Sequence, residues 1–247
     1  MLVYVSAAGG TPPPISESAD LTEIVLSLLA AIAAIVLHEV AHGYAALAMG
    51  DDTARRLGRL SLNPIVHVDR VGTLIVPGLL LIANSIFGGH FMFGWAKPVP
   101  VDAMRFRDPR RGMMIVAAAG PAMNFLLAWL TALALNLEPD GLLGEIFEGF
   151  AVPFILFNLL LGLFNLLPIP PLDGGRILVG LLPYQLAVQW ARLERFGILI
   201  VLFLLVLLPM LLRDLGMPAD PVMSTVWRVI HWALRQLPFP DGFDSGV

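Results

Sequence analysis

Two histidines four residues apart, His38 and His42, stand with a glutamate in the run His38-Glu39-Val40-Ala41-His42. On a helix that spacing puts both imidazoles on one face, one turn apart. Two such rings can share one metal ion. A carboxylate about 100° round the helix from the first ring can reach a water on that ion without being a ligand itself. The pattern is that of a zinc hydrolase with a glutamate as general base. It is short, and in soluble chains it occurs by chance. Here it lies inside an apolar run that starts near Leu21. An Asp, Lys or Arg at the centre of a bilayer span costs about 2.5–3.5 kcal/mol on translocon scales. A glutamate and two histidines together in a span need a reason, and a catalytic metal supplies one. A structural metal site or a buried polar network are the alternatives.

A catalytic zinc takes three protein ligands and keeps one position for water. The chain has no cysteine, so the third ligand must be a histidine or a carboxylate. Few acidic residues lie in or at the end of an apolar span. Glu23 is at the far end of the first one, and Glu194 reads as a surface charge. Asp173 follows a helix broken by Pro168, Pro170 and Pro171. Non-helical backbone at membrane depth is tolerated only where it is buried in protein or lines a wet cavity. That makes Asp173 the candidate third ligand, although Leu172-Asp173-Gly174-Gly175 alone reads equally well as a turn at a helix end. Asn165 could donate its amide to a developing oxyanion, or make an interhelical hydrogen bond worth about 0.6 kcal/mol. Asn124 and Asn158 fit that structural part better. His67 and Asp69 read as a solvated loop pair, with a gate at the site as the alternative. His90 and His231 read as interfacial bystanders.

The elements that must position these residues are membrane spans. Of 247 residues, 57% are hydrophobic and 14% charged, and mean hydropathy is +0.81. This describes an all-α polytopic membrane protein with little outside the bilayer. The expected spans are Leu21–Met49, Gly112–Leu137, Phe150–Leu167 and Phe196–Leu212. Gly50 is the expected C-cap of the first. Val71–Phe93, interrupted by Pro77-Gly78 and Gly88-Gly89, reads as a re-entrant hairpin. Residues 57–62 and 99–102 read as short strands, the second an edge strand because of Pro98 and Pro100. They would form a small membrane-associated β-sheet. Residues 1–20 read as a flexible lead, and the absence of a basic n-region argues against a cleaved signal peptide. Residues 21–212 form the expected core, and 213–247 a tail with an interfacial amphipathic helix over Val222–Leu237. The net charge of −4 excludes nothing, and no basic-aromatic pattern points to nucleic acid.

Charge orients the chain. No Lys or Arg precedes Arg55, whereas 51–70 and 94–111 are both basic. The positive-inside rule makes both loops cytoplasmic and the acidic stretch 138–149 external. His38 and His42 then fall in the inner half of one helix and Asp173 at the inner end of another, so that they can meet.

Together these residues resemble the site-2 protease family of intramembrane zinc metalloproteases. The likeness rests on His38-Glu39-Val40-Ala41-His42, on Gly120-Pro121-Ala122-Met123-Asn124, and on Asn165-Leu-Leu-Pro-Ile-Pro-Pro-Leu-Asp173-Gly-Gly. Gly58-Arg-Leu-Ser-Leu-Asn-Pro64 and Gly94-Trp-Ala-Lys-Pro-Val-Pro100 resemble the compact bacterial branch, which has no PDZ or CBS domain. The resemblance implies one zinc per chain held by His38, His42 and Asp173, Glu39 as base, and Asn165 assisting the oxyanion. It also implies a multi-pass protein of the cell membrane, the bacterial inner membrane, with its site toward the cytoplasm. The substrates would be transmembrane proteins within the lipid bilayer, such as anti-sigma factors or remnant signal peptides. A substrate could pair with an edge of the small sheet. The rival class is a non-hydrolytic metal-binding membrane protein or metal transporter. That class calls for a second polar site or a polar stripe across the membrane, and the outer halves of the spans are almost purely apolar.

Overall fold

The computed structural model describes residues 2–4, 21–87, 92–137, 141–217 and 221–240. Among them, four helical stretches are long and apolar enough to cross a membrane: Leu21–Ala48, Pro109–Leu135, Leu142–Asn165 and Tyr184–Asp214. The first three are α1, α4 and α5. They pack pairwise against one another and form the frame of the site. Small residues make this close approach possible. Ala30 and Ala34 of α1, one turn apart and fully buried, meet Phe154 and Leu161 of α5.

Local sequence accounts for the ends of these helices. At the end of α1, Gly50 takes φ +101°, the left-handed conformation that a glycine enters without a Cβ penalty. The Gly50 and Asp51 N–H groups then donate back to Leu47 O and Ala46 O, a Schellman closure. A short helix α2 (Thr53–Arg56) follows. At the start of α4, the Asp108 carboxylate accepts from the Arg110 and Arg111 N–H groups, with Pro109 in the first turn. After α5 the proline-rich break leads into α6 (Asp173–Leu181), with Asp173 in its first turn. The last span contains α7 (Tyr184–Arg192), α8 (Gly197–Leu202) and α9 (Leu208–Asp214).

A π-helical turn, Arg70–Ile75, runs into α3 (Val76–Phe87). The chain then comes back to where this helix began. Trp95 N–H donates to Gly72 O and Thr73 Oγ1–H to Trp95 O. The final helix, α10 (Pro221–Leu234), lays Val226, Ile230 and Leu234 against Ala128 and Ala132 of α4 and Ala151, Ile155 and Leu159 of α5. The Val226, Ile230 and Leu234 side of the helix is thus covered by protein, while Trp232 is exposed.

The helical polytopic core fits the sequence reading; the small β-sheet does not. Neither 57–62 nor 99–102 is a strand. Gly58 adopts φ +66° and the Arg59 N–H closes back onto Ala54 O, so 57–62 turn instead of extending. In 98–100 the two prolines have no N–H, and the Val99 N–H goes to a side chain. The one ladder among the described residues is a three-residue pairing of β1 (Leu2–Tyr4) with β2 (Met92–Gly94), away from both expected strands. Residues 5–20, His90, Glu138 and Asp140, which also entered the sequence reading, lie outside the described residues.

Candidate metal centre

The structure brings His38, His42 and Asp173 together. Their ligand atoms all lie within 4.8 Å of one another, and all three residues are buried. His38 Nε2 and His42 Nε2 are 3.0 Å apart, and Asp173 Oδ2 is 3.2 Å from the first and 3.3 Å from the second. Each imidazole is oriented from its other nitrogen. His42 Nδ1–H donates to Val116 O at 2.7 Å. His38 Nδ1–H donates to Asn124 Oδ1. The direction of this second bond is fixed by a buried chain. Asn124 Nδ2 donates to Asn158 Oδ1 at 2.8 Å, and Asn158 Nδ2 to Phe154 O at 2.7 Å. With both Nδ1 atoms carrying hydrogen, both neutral rings turn an Nε2 lone pair toward the carboxylate.

This arrangement fits a cation on two counts. Asp173 Oδ2 is buried and has no hydrogen-bond donor, which is costly for a carboxylate oxygen. One proton placed among three facing acceptors cannot satisfy all of them. In addition, tetrahedral zinc with bonds of about 2.0–2.1 Å spaces its ligand atoms about 3.3–3.4 Å apart. The observed triangle is close to that size. The set of two imidazoles and one carboxylate leaves a fourth position, as a catalytic zinc site requires.

Neighbouring backbone is shaped around the triangle. A Cβ on Gly120 would lie 2.5 Å from Cε1 and Nε2 of His42 and 2.6 Å from Cε1 of His38. Gly120 thus lets α4 close over both rings. Asn124, four residues on along the same helix, holds His38. Gly174 and Gly175 lie in the first turn of α6, not in a loop. A Cβ on Gly174 would lie 2.2 Å from Leu166 O, and one on Gly175 2.7 Å from Pro170 N. They let the first turn of α6 pack on the broken backbone, which fixes Asp173. At that helix N-terminus the dipole also favours its charge.

Glu39 and Asn165 line the same cavity as the three ligand candidates, together with Ala96, Pro98 and Val99. Glu39 Oε2 accepts from the Val99 N–H at 3.0 Å. Asn165 is buried and gives one amide hydrogen to Leu161 O at 2.9 Å, which leaves it a second to offer. His67 and Asp69 are not part of the triangle. His67 is buried instead of solvated, with Nε2–H donating to Ser61 O, and Asp69 caps the Val71 and Gly72 N–H groups. Glu194 pairs with Arg176 at 2.8 Å on the surface, and His231 is exposed beside Trp227. Sequence reasoning missed Val116 O, the Val99 N–H and the orienting role of Asn124. The spacing of Gly120 and Asn124, one turn apart on a face of α4, was the available signal for the last.

A helical membrane protein with a buried His-His-Asp triangle and an adjacent glutamate belongs to the class of membrane-embedded metallohydrolases. Comparison with known proteins narrows the class. A family model described as Peptidase family M50 matches residues 142–208. YwhC of Bacillus subtilis (strain 168), named as a zinc metalloprotease, is 39% identical over 181 residues, covering 71% of this chain and 77% of the relative. Rip2 of Mycolicibacterium smegmatis, also named as a zinc metalloprotease, is 30% identical, covering 83% and 78%. Rip2 of Mycobacterium tuberculosis (strain H37Rv), with the same name, is 32% identical, covering 80% and 72%. No solved structure matches the chain. The chain belongs to Peptidase family M50, the site-2 protease family. It is a multi-pass membrane protein and a zinc-dependent intramembrane metalloprotease that acts on protein within the membrane.

Proposed function

We propose that this protease hydrolyses peptide bonds in or near transmembrane segments, with Glu39 as general base, Asn165 as oxyanion donor, and His38, His42 and Asp173 as the zinc ligands. The observation that carries the reading is the convergence of two Nε2 lone pairs and the donor-less Asp173 Oδ2 at 3.0–3.3 Å beside the Glu39 carboxylate. Zinc, when bound there, supplies Lewis acidity to the scissile carbonyl and lowers the pKa of the attacking water to about 7. Glu39 takes a proton from that water as its oxygen bonds to the carbonyl carbon. The second amide hydrogen of Asn165 meets the charge that develops on the carbonyl oxygen. Glu39 then delivers its proton to the amide nitrogen as the C–N bond breaks. A helical amide is hydrogen-bonded and shielded, so the substrate must unwind at the cut. Spans containing Gly, Pro or polar residues are favoured for that reason.

The side of action follows from charge. The His42 end of α1 leads into Arg55, Arg56 and Arg59, and the segment beside Glu39 into Arg105, Arg107, Arg110 and Arg111. By the positive-inside rule this charge supports a cytoplasmic assignment for this end, and the bacterial inner membrane is part of the same proposal.

The test is cleavage of a reconstituted transmembrane substrate, with the new termini located by mass spectrometry. Cutting inside or beside the span, abolished in Glu39→Gln with zinc retained, supports the reading. Cleavage by that variant, or zinc transport into the vesicles without cleavage, contradicts it. Because the chain has no cysteine, single cysteines introduced at 57 and 107 report the side directly by labelling in spheroplasts. Labelling from outside contradicts the cytoplasmic assignment.

A further inference from the structure

We infer that Arg59 is a positioning residue for the catalytic base, acting through segment 95–99. The inference rests on the reading of Glu39 as that base. The backbone of segment 95–99 is pinned at alternate residues. Trp95 N–H donates to Gly72 O at 3.0 Å, Lys97 N–H to His67 O at 2.8 Å, and Val99 N–H to Glu39 Oε2 at 3.0 Å. The last bond ends on the Glu39 side chain; the first two end on backbone carbonyls, Gly72 O in the π-helical turn and His67 O at the end of a 3-10 turn, Pro64–His67. Pro98 and Pro100 have no N–H, so Val99 is the one donor that 98–100 can present.

Arg59 holds the segment from the carbonyl side. Its guanidinium is buried, and Nη2 donates to Lys97 O at 2.9 Å and Pro98 O at 3.4 Å, the two carbonyls just before the Val99 N–H. Arg59 does not line the cavity that holds Glu39 and the triangle, so it does not touch the reacting groups. A buried guanidinium is expensive, and Arg59 Nε has no hydrogen-bond partner. No carboxylate pairs with it among the described ion pairs. What it does is fix the backbone that carries the Val99 N–H. That N–H in turn selects one rotamer of a glutamate that otherwise has three free torsions. Misplacing a catalytic group by about 1 Å can cost about a hundredfold in rate.

The test is a double-mutant cycle on the zinc-loaded, full-length enzyme in proteoliposomes. Arg59→Met keeps the apolar stem and removes the donors. Glu39→Asp keeps a carboxylate one methylene too short to reach the Val99 N–H. For each single and double variant, kcat, KM and zinc content are measured with a transmembrane substrate. Arg59→Met is expected to lower kcat about ten- to a hundredfold with KM and zinc content unchanged, and Arg59→Lys to recover part of the loss. In the Glu39→Asp background, Arg59→Met should lower kcat no further. Equal factors in both backgrounds, or a change in KM with kcat intact, overturn the inference. If Glu39→Asp alone leaves kcat unchanged, the base reading fails instead, which separates the two. Should Arg59→Met fail to load zinc, the cycle is run with Arg59→Gln on the same criteria.

Discussion

Asn124 carries the most informative single perturbation. It sits fully buried between α1 and α5, takes the His38 Nδ1–H on Oδ1 and gives Nδ2 to Asn158. Replacing it with alanine removes the acceptor that fixes the His38 tautomer and ring angle, and leaves Asn158 Oδ1 without its donor. Loss of such an outer partner to a metal-bound histidine typically costs about 10–100-fold in metal affinity or activity, or about 1.4–2.8 kcal/mol at 1.4 kcal/mol per tenfold. Asn124→Asp keeps an acceptor for Nδ1–H and is expected to retain most of the affinity. The assay is competition for zinc against a chromogenic chelator of known affinity, on purified protein in detergent, with secondary structure followed by circular dichroism. An alanine variant that is folded and binds zinc within twofold of wild type would refute the reasoning.

Three further outcomes follow from the same geometry. Gly120→Ala places a methyl group against both imidazoles; zinc content, measured by atomic absorption, should fall below half of wild type while the helices persist. Glu39→Gln should lower kcat by at least about 10²-fold with zinc content unchanged, measured on the same preparation. Asp51, buried at the end of α1, is held below the ordinary carboxylate value. Burial alone would raise it, but donation from Thr53 and the Asp102 N–H, with Arg105 nearby, outweighs that. A carboxyl depressed in the folded state stabilises the protein above its unfolded value of about 3.9, and that contribution is lost as pH falls through the folded value. Asp51→Asn should therefore cost about 1–3 kcal/mol at pH 7 and flatten the acid limb of thermal stability below about pH 4, read by calorimetry. An unchanged acid limb would rule out Asp51 as its source.

The chemistry was legible because it is carried by local signals. His38 and His42 share a helix face whatever surrounds them, and a glutamate in an apolar span demands a partner. Pro121 and Pro153 are carried inside helices, but Pro168, Pro170 and Pro171 crowded into four residues leave no continuous helix, which pointed to Asp173. The spans were legible from hydropathy; the first two were placed to within three residues, but the third and fourth begin at Leu142 and Tyr184, well before the expected Phe150 and Phe196. What orients the site was not legible, because it is non-local backbone. Val116 O behind His42 and the Val99 N–H before Glu39 have no side-chain signature. The alternation in Leu57–Leu62 suggested a strand, but Gly58 and the closure onto Ala54 O turned it into a loop. The amphipathic stripe of α10 marked an apolar face, of which Val226, Ile230 and Leu234 meet α4 and α5 while Trp232 is exposed. Periodicity shows which side is apolar, not whether lipid or protein covers it.

The central claim is that two imidazoles and one carboxylate hold the zinc. X-ray absorption at the zinc K-edge of the purified protein tests it directly. Two imidazole nitrogens at about 2.0–2.1 Å with one or two oxygens at about 2.0–2.2 Å, and loss of bound zinc in Asp173→Ala, is the expected result. A spectrum with three or more imidazoles, or an unchanged one in Asp173→Ala, would contradict it.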